Sequence, residues 1–274
     1  GLEINKGNIK TIDLKPYETK TIAISFPVLN NKSSDYHLNL YAKTKEKQAL
    51  IPQGHVVAYE QFELQQGVFV PVLSENSSVT SSENEQILTV SNKQVTANFD
   101  KKSGILTSLD YGNGNMLVKG ISPNFWRAPT DNDFGFKMPQ KLGAWKQATE
   151  NQTLISLEHK TKNEEVIVTA KYQLSAAKNA TVHVEYQFSK NGQIAVTTSL
   201  DTKNQTLPML PKFGTNFIIN KDFDAVEWLG RGPFENYQDR KTAALVGQYK
   251  SSVAELYFSY IRPQENGYKT ENRW

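Results

Sequence analysis

Thr181-Val182-His183-Val184-Glu185-Tyr186-Gln187-Phe188 decides the fold class, because polar and apolar residues exchange at every step. A strand sends successive side chains to opposite faces, so Val182, Val184, Tyr186 and Phe188 fall on one core-facing row. Lys190-Asn191-Gly192 follows as a turn signal, and Gln193-Ile194-Ala195-Val196-Thr197-Thr198 resumes the alternation. Upstream, Glu165–Ala170 carries the same two-residue period, as do His37–Ala42 and Thr21–Phe26. Lys102-Ser103-Gly104 and Tyr111-Gly112-Asn113-Gly114 are further turn signals. Helical periodicity is scarce: one short helix is expected around Gln140 to Ala148, and a turn near Val253 to Tyr257. The chain therefore reads as all-β, built of packed antiparallel sheets.

A polar stretch divides it. Ser74-Glu75-Asn76-Ser77-Ser78-Val79-Thr80-Ser81-Ser82-Glu83-Asn84-Glu85 has no apolar period and reads as a linker or long exposed loop. The expected organisation is a partial sandwich over 1–70, a linker over 71–85 and one large sandwich over 86–274. The first part holds too few strands to close a sandwich of about seven. The 274 residues carry 31 Lys and Arg against 28 Asp and Glu, a net +3, which argues against nucleic acid or an anionic membrane as partner. There is no Cys, which excludes a disulfide framework, a thiolate metal site and a cysteine nucleophile. No apolar run approaches the ~20 residues that span a bilayer. The polar start and the close at Arg273-Trp274 suggest a piece of a longer protein, cut within a domain.

Chemistry concentrates in three clusters. The densest is Asn124-Phe125-Trp126-Arg127-Ala128-Pro129-Thr130-Asp131-Asn132-Asp133-Phe134-Gly135. Aromatic faces beside polar groups suit a sugar-binding surface, but on composition alone a buried Arg–carboxylate staple that orders a loop is favoured. Asp131-Asn132-Asp133 hints at calcium, yet the Gly falls one position early for an EF-hand and no bidentate Glu follows. The second cluster, Trp228-Leu229-Gly230-Arg231-Gly232-Pro233-Phe234-Glu235-Asn236-Tyr237-Gln238-Asp239-Arg240, alternates acids and bases. That is more often an ion-pair network than a catalytic dyad. In the third, Tyr260-Ile261-Arg262-Pro263-Gln264-Glu265-Asn266-Gly267, Glu265 is a candidate general acid, although Glu-Asn-Gly is also ordinary turn chemistry. The four histidines show no ligand spacing, and no nucleophile elbow, Walker or dinucleotide motif occurs.

The three clusters resemble, in order and spacing, motifs of family 2 β-galactosidases: Arg-Ala-Pro-x-Asp-Asn-Asp-x-Gly, Trp-x-Gly-x-Gly-Pro-x-Glu-Asn-Tyr-x-Asp-Arg and Tyr-x-x-Pro-x-Glu-Asn-Gly. Gly54–Phe62 is similar to the last strand of the immunoglobulin-like domain that precedes that region. The resemblance covers essentially the whole chain. It implies the end of an immunoglobulin-like sandwich followed by most of a galactose-mutarotase-like β-supersandwich. In that family the catalytic glutamates sit on a (β/α)₈ barrel, a pattern this sequence lacks.

The resemblance thus implies a non-catalytic C-terminal portion, inactive alone, of a homo-oligomeric parent. That parent would hydrolyse β-galactosides with retention, any magnesium or sodium being held by residues outside this chain. The barrel would be its partner within the parent, and a bacterial cytoplasm or periplasm stays open. By the same resemblance Gly135 is the hinge of a mobile loop, running to about Gly143, that folds over the barrel's active site. Trp126, Arg127, Asp131, Asn132, Asp133, Trp228, Glu235, Asn236, Tyr237, Asp239, Arg240, Glu265 and Asn266 are sugar-proximal or structural signature residues. A competing reading is an independent carbohydrate-binding module with Trp126, Trp145 and Trp228 as platform. A third is a plain assembly module.

Overall fold

A computed structural model describes residues 1–9, 12–68 and 75–274. Along the chain, β1 (Tyr36–Lys43) and β2 (Val56–Gln65) form an antiparallel pair, with Leu38 opposite Phe62 and Tyr41 opposite Tyr59. The alternation at Thr21–Phe26 forms no strand, because no neighbouring segment offers it a hydrogen-bonding ladder among the described residues. Residues 71–74 of the expected linker lie outside the described residues. Within the remainder, Thr80–Glu83 is a strand, β3, which lies at the sheet edge and among the described residues pairs with β4 (Ile87–Ser91) alone. An edge strand buries little, which is why this one carries no apolar period.

β5 (Thr96–Asp100), β6 (Leu106–Asp110) and β7 (Leu117–Asn124) continue the sheet. Three short helices follow: α1 (Asp131–Phe136), α2 (Met138–Lys141) and α3 (Gly143–Glu150). β8 (Thr153–Lys162), β9 (Glu165–Leu174), β10 (Ala180–Phe188) and β11 (Ile194–Asp201) make a four-stranded meander. β12 (Gly214–Ile219) returns to pair with β7 and completes a six-stranded antiparallel sheet. β13 (Ala225–Gly232) and β14 (Leu245–Ser252) form a final pair, and a single 3-10 turn spans Ala254–Leu256. The fold is all-β and its pairings are antiparallel, as the alternation implies. Among the described residues no helix is long and apolar enough to cross a membrane.

The chain divides into two compact units. One comprises Gly1–Pro71, Ala225–Leu256 and Gly267–Trp274, and the other Val72–Asp224 and Tyr257–Asn266. Long-range hydrogen bonds run inside the first unit. Gln61 exchanges two bonds with the Val246 backbone, at 2.9 and 2.7 Å, and the Tyr59 hydroxyl donates to the Ala243 carbonyl. Those long-range links tie β14 to β2.

In the second unit the alternation becomes a core. Val166, Val168, Ala170, Tyr172 and Leu174 of β9 are buried beside Val182, Val184, Tyr186 and Phe188 of β10. Leu88, Val90, Ala97, Phe99 and Leu106 supply the opposing row. Phe99 meets Tyr186 edge-on, with ring centres 5.0 Å apart, and Phe188 at 6.1 Å. Each large apolar side chain so buried is worth roughly 1.5–3 kcal/mol. α3 joins this core through Trp145 and Ala148, and Trp145 Nε1 donates to the Pro208 carbonyl at 3.0 Å.

The region read as a loop opening at Gly135 is helical. Gly135 lies inside α1, and the left-handed residue that ends α1 is Lys137, with φ of 61°. Helix formation there follows from a capping box, in which Thr130 accepts from the Asp133 N–H and the Asp133 carboxylate accepts from the Thr130 N–H.

Candidate functional site

The first cluster leaves β7 at Asn124, a buried amide whose bonds fix the chain's exit. Its Oδ1 accepts from the Trp126 N–H at 3.1 Å and its Nδ2 donates to Asn216 Oδ1 at 3.1 Å. The Phe125 N–H donates to Thr149 Oγ1 at 2.9 Å, and the Phe125 ring lies 5.6 Å from that of Trp145. Trp126 packs against the core edge. Arg127 then grips Asp133 through both terminal nitrogens, one of them at 2.9 Å. Asp133 also accepts from the Thr130 N–H and hydroxyl. Burial raises the Asp133 pKa, but the Thr130 and Arg127 hydrogen bonds outweigh it and hold the carboxyl below its usual range. An Arg–carboxylate staple is therefore present, part-buried rather than buried.

The third cluster meets the first. The Asp131 N–H donates to the Pro263 carbonyl at 2.8 Å, and the Arg262 guanidinium pairs with the Asp131 carboxylate at 3.2 Å. Asn266 Oδ1 accepts from the Phe258 N–H, a turn-ordering role. Asn132 is exposed.

A cleft of about 370 Å³ opens where these segments converge. Asn124, Trp126 and Arg127 line it from the first cluster and Glu265 from the third. Lys146, Thr149 and Glu150 of α3 complete it with Lys212 and Asn216. These last five escaped the motif reading, although one signal for them existed. Positions 146, 149 and 150 form one stripe at helical spacing, offset from the buried Trp145 and Ala148.

The second cluster, in the other unit, is a separate staple. Asn236 is fully buried: its Oδ1 accepts from the Thr270 N–H at 3.0 Å and from the Thr270 hydroxyl. Its Nδ2 donates to the carbonyls of Phe234 and Arg231 at 3.1 and 3.3 Å. Glu235 pairs with Arg240 at 2.9 Å and accepts from the Gly267 N–H at 3.2 Å. Tyr237 stacks on Tyr268 with ring centres 4.6 Å apart, the Arg240 guanidinium lies over the Tyr237 ring at 4.9 Å from its centre, and Asp239 is exposed. Arg231 pairs with Glu271 at 2.6 Å, and Lys241 pairs with the same carboxylate. The Lys241 hydrogen bond leads the causes that hold Glu271 below its usual range.

The tryptophan platform does not form. Trp145 is 2% exposed and Trp228 5%, and each indole N–H is spent on a backbone carbonyl, Pro208 and Arg231 respectively. Trp126, by contrast, lines the cleft. Among the described residues no group of three or more His, Asp or Glu side chains gathers as a metal site.

A family model for the β-galactosidase small chain matches residues 91–274, and one for β-galactosidase domain 4 matches residues 1–65. The chain is 35% identical to a β-galactosidase of Priestia megaterium over 275 residues, covering 99% of this chain and 26% of that protein. It is 29% identical to a Pseudoalteromonas haloplanktis β-galactosidase over 288 residues, covering 99% of this chain and 28% of that protein. A Halalkalibacterium halodurans β-galactosidase is 28% identical over 242 residues, covering 88% and 24%. The chain thus spans about a quarter of the length of these curated relatives.

Proposed function

The chain belongs to the β-galactosidase small-chain family, and on that premise we propose that it is the non-catalytic C-terminal portion of a longer family 2 β-galactosidase. The parent would hydrolyse terminal β-D-galactosides with retention, through carboxylates carried elsewhere in it. This part would support the barrel and bring the Asp131–Lys141 helices to the active site.

One observation carries the reading: three of the signature carboxylates are bound into staples. Asp133 holds Arg127 and caps α1, Asp131 holds Arg262, and Glu235 holds Arg240 and the Gly267 N–H. A retaining glycosidase instead needs two carboxyl groups about 5–5.5 Å apart across the scissile bond. Carboxylates engaged as these are position backbone. The assay is turnover of a chromogenic β-galactoside by the purified chain, for which none is expected.

Gly135 would act in the parent as the point where α1 yields when substrate binds. Gly135→Ala in the full-length enzyme should then alter kcat and KM together. Unchanged constants would remove Gly135 from the mechanism.

A further inference from the structure

Beyond that reading, we propose that the cleft beside β7, α3 and β12 is a binding site for a neutral pyranose. Its volume of about 370 Å³ lies within the roughly 300–1,000 Å³ of small-ligand sites. What the wall offers narrows the ligand class. Three cations border it, Arg127, Lys146 and Lys212, and so do the carboxylates of Glu150 and Glu265. Asp133, paired with Arg127, brings the local charges into balance. An inorganic anion would meet Glu150 and Glu265, and a cation would meet Lys146 and Lys212, so neither is well matched. A sugar hydroxyl both donates and accepts, and a ring of hydroxyls satisfies ammonium, amide and carboxylate together.

The amides are placed in advance. Asn124, 2% exposed, donates to Asn216 Oδ1, which leaves the Asn216 Nδ2 group as a donor outside that pair. Lys212 forms no ion pair among the described residues, so its ammonium is available to a hydroxyl. Thr149 is committed, since its hydroxyl donates to the Trp145 carbonyl while accepting from Phe125, and it serves as wall. Trp126, part-buried against the core edge, is the aromatic residue of the wall, the kind of side chain against which the C–H groups of a pyranose pack.

The test titrates the chain with galactose and with glucose at millimolar concentrations, read by ligand-observed NMR, with inorganic phosphate as competitor. Saturable binding of either sugar, undisturbed by phosphate, is the expected result. Asn216→Ala and Lys212→Met change side chains at the rim, and each should weaken binding about five- to tenfold, the worth of one such hydrogen bond. No saturable binding of either sugar would overturn the proposal. So would displacement by phosphate, or binding unchanged in both variants while circular dichroism shows them folded.

Discussion

Arg127 and Asp133 form a two-point ion pair that also closes the N-terminus of α1, since the same carboxylate accepts from the Thr130 N–H. One side chain therefore anchors a cation and caps a helix. Asp133→Asn keeps the shape but loses the charge, leaving Arg127 part-buried without its partner. It should destabilise the second unit by about 2–3 kcal/mol, from a charged hydrogen bond plus part of a cap. Chemical denaturation followed by tryptophan fluorescence measures this, and a loss below about 0.5 kcal/mol would remove the pair's structural role.

The same carboxylate makes stability depend on pH. Its folded-state pKa is depressed, so the unfolded chain binds the proton more readily and stability rises with pH in that range. The contribution is complete above the ordinary carboxylate value of about 4. It is lost as pH falls through the lower folded value. Between the two values the unfolding free energy should rise less steeply with pH for Asp133→Asn than for the unmodified chain.

Asn236 satisfies Thr270 at a fully buried position. Asn236→Ala strands the Thr270 N–H and hydroxyl and the Phe234 carbonyl, while the Arg231 carbonyl keeps the Trp228 indole N–H, at a cost of about 1–3 kcal/mol for unmet buried groups plus a small cavity. Amide hydrogen exchange should quicken across Gly267–Trp274. Unchanged protection there would show that the segment is held by other contacts.

Gly135 has helical backbone, and a methyl group placed on it would touch nothing within 4 Å. Gly135→Ala in this chain should therefore stabilise by about 0.5–1 kcal/mol, because alanine loses less backbone entropy in a helix. A fall in Tm would mean that the position needs a conformation that alanine resists.

The sheets were legible where both rows of a strand meet different surroundings. β9 and β10 bury every second residue from Val166 and from Val182, and their period of two is plain in the sequence. β3 was not legible, since an edge strand of Thr, Ser and Glu has no apolar row. α1 is not legible for a local reason: glycine and two aspartates lower helix propensity, and the Thr130-x-x-Asp133 box that offsets them lies in a stretch that reads as a loop ordered by an Arg–carboxylate staple. The site was half legible. Arg127 with Asp133 falls inside one motif, six residues apart. Asn236 with Thr270, or Lys212 in one cleft with Lys146, depends on how distant segments return, which no local period records.

That this chain lacks catalysis of its own is tested most directly by hydrolysis of a chromogenic β-galactoside by the purified 274-residue chain. The predicted result is turnover no faster than buffer. Turnover proportional to protein concentration, abolished by Glu265→Gln with the fold intact, would contradict the account and place an active carboxylate in the cleft.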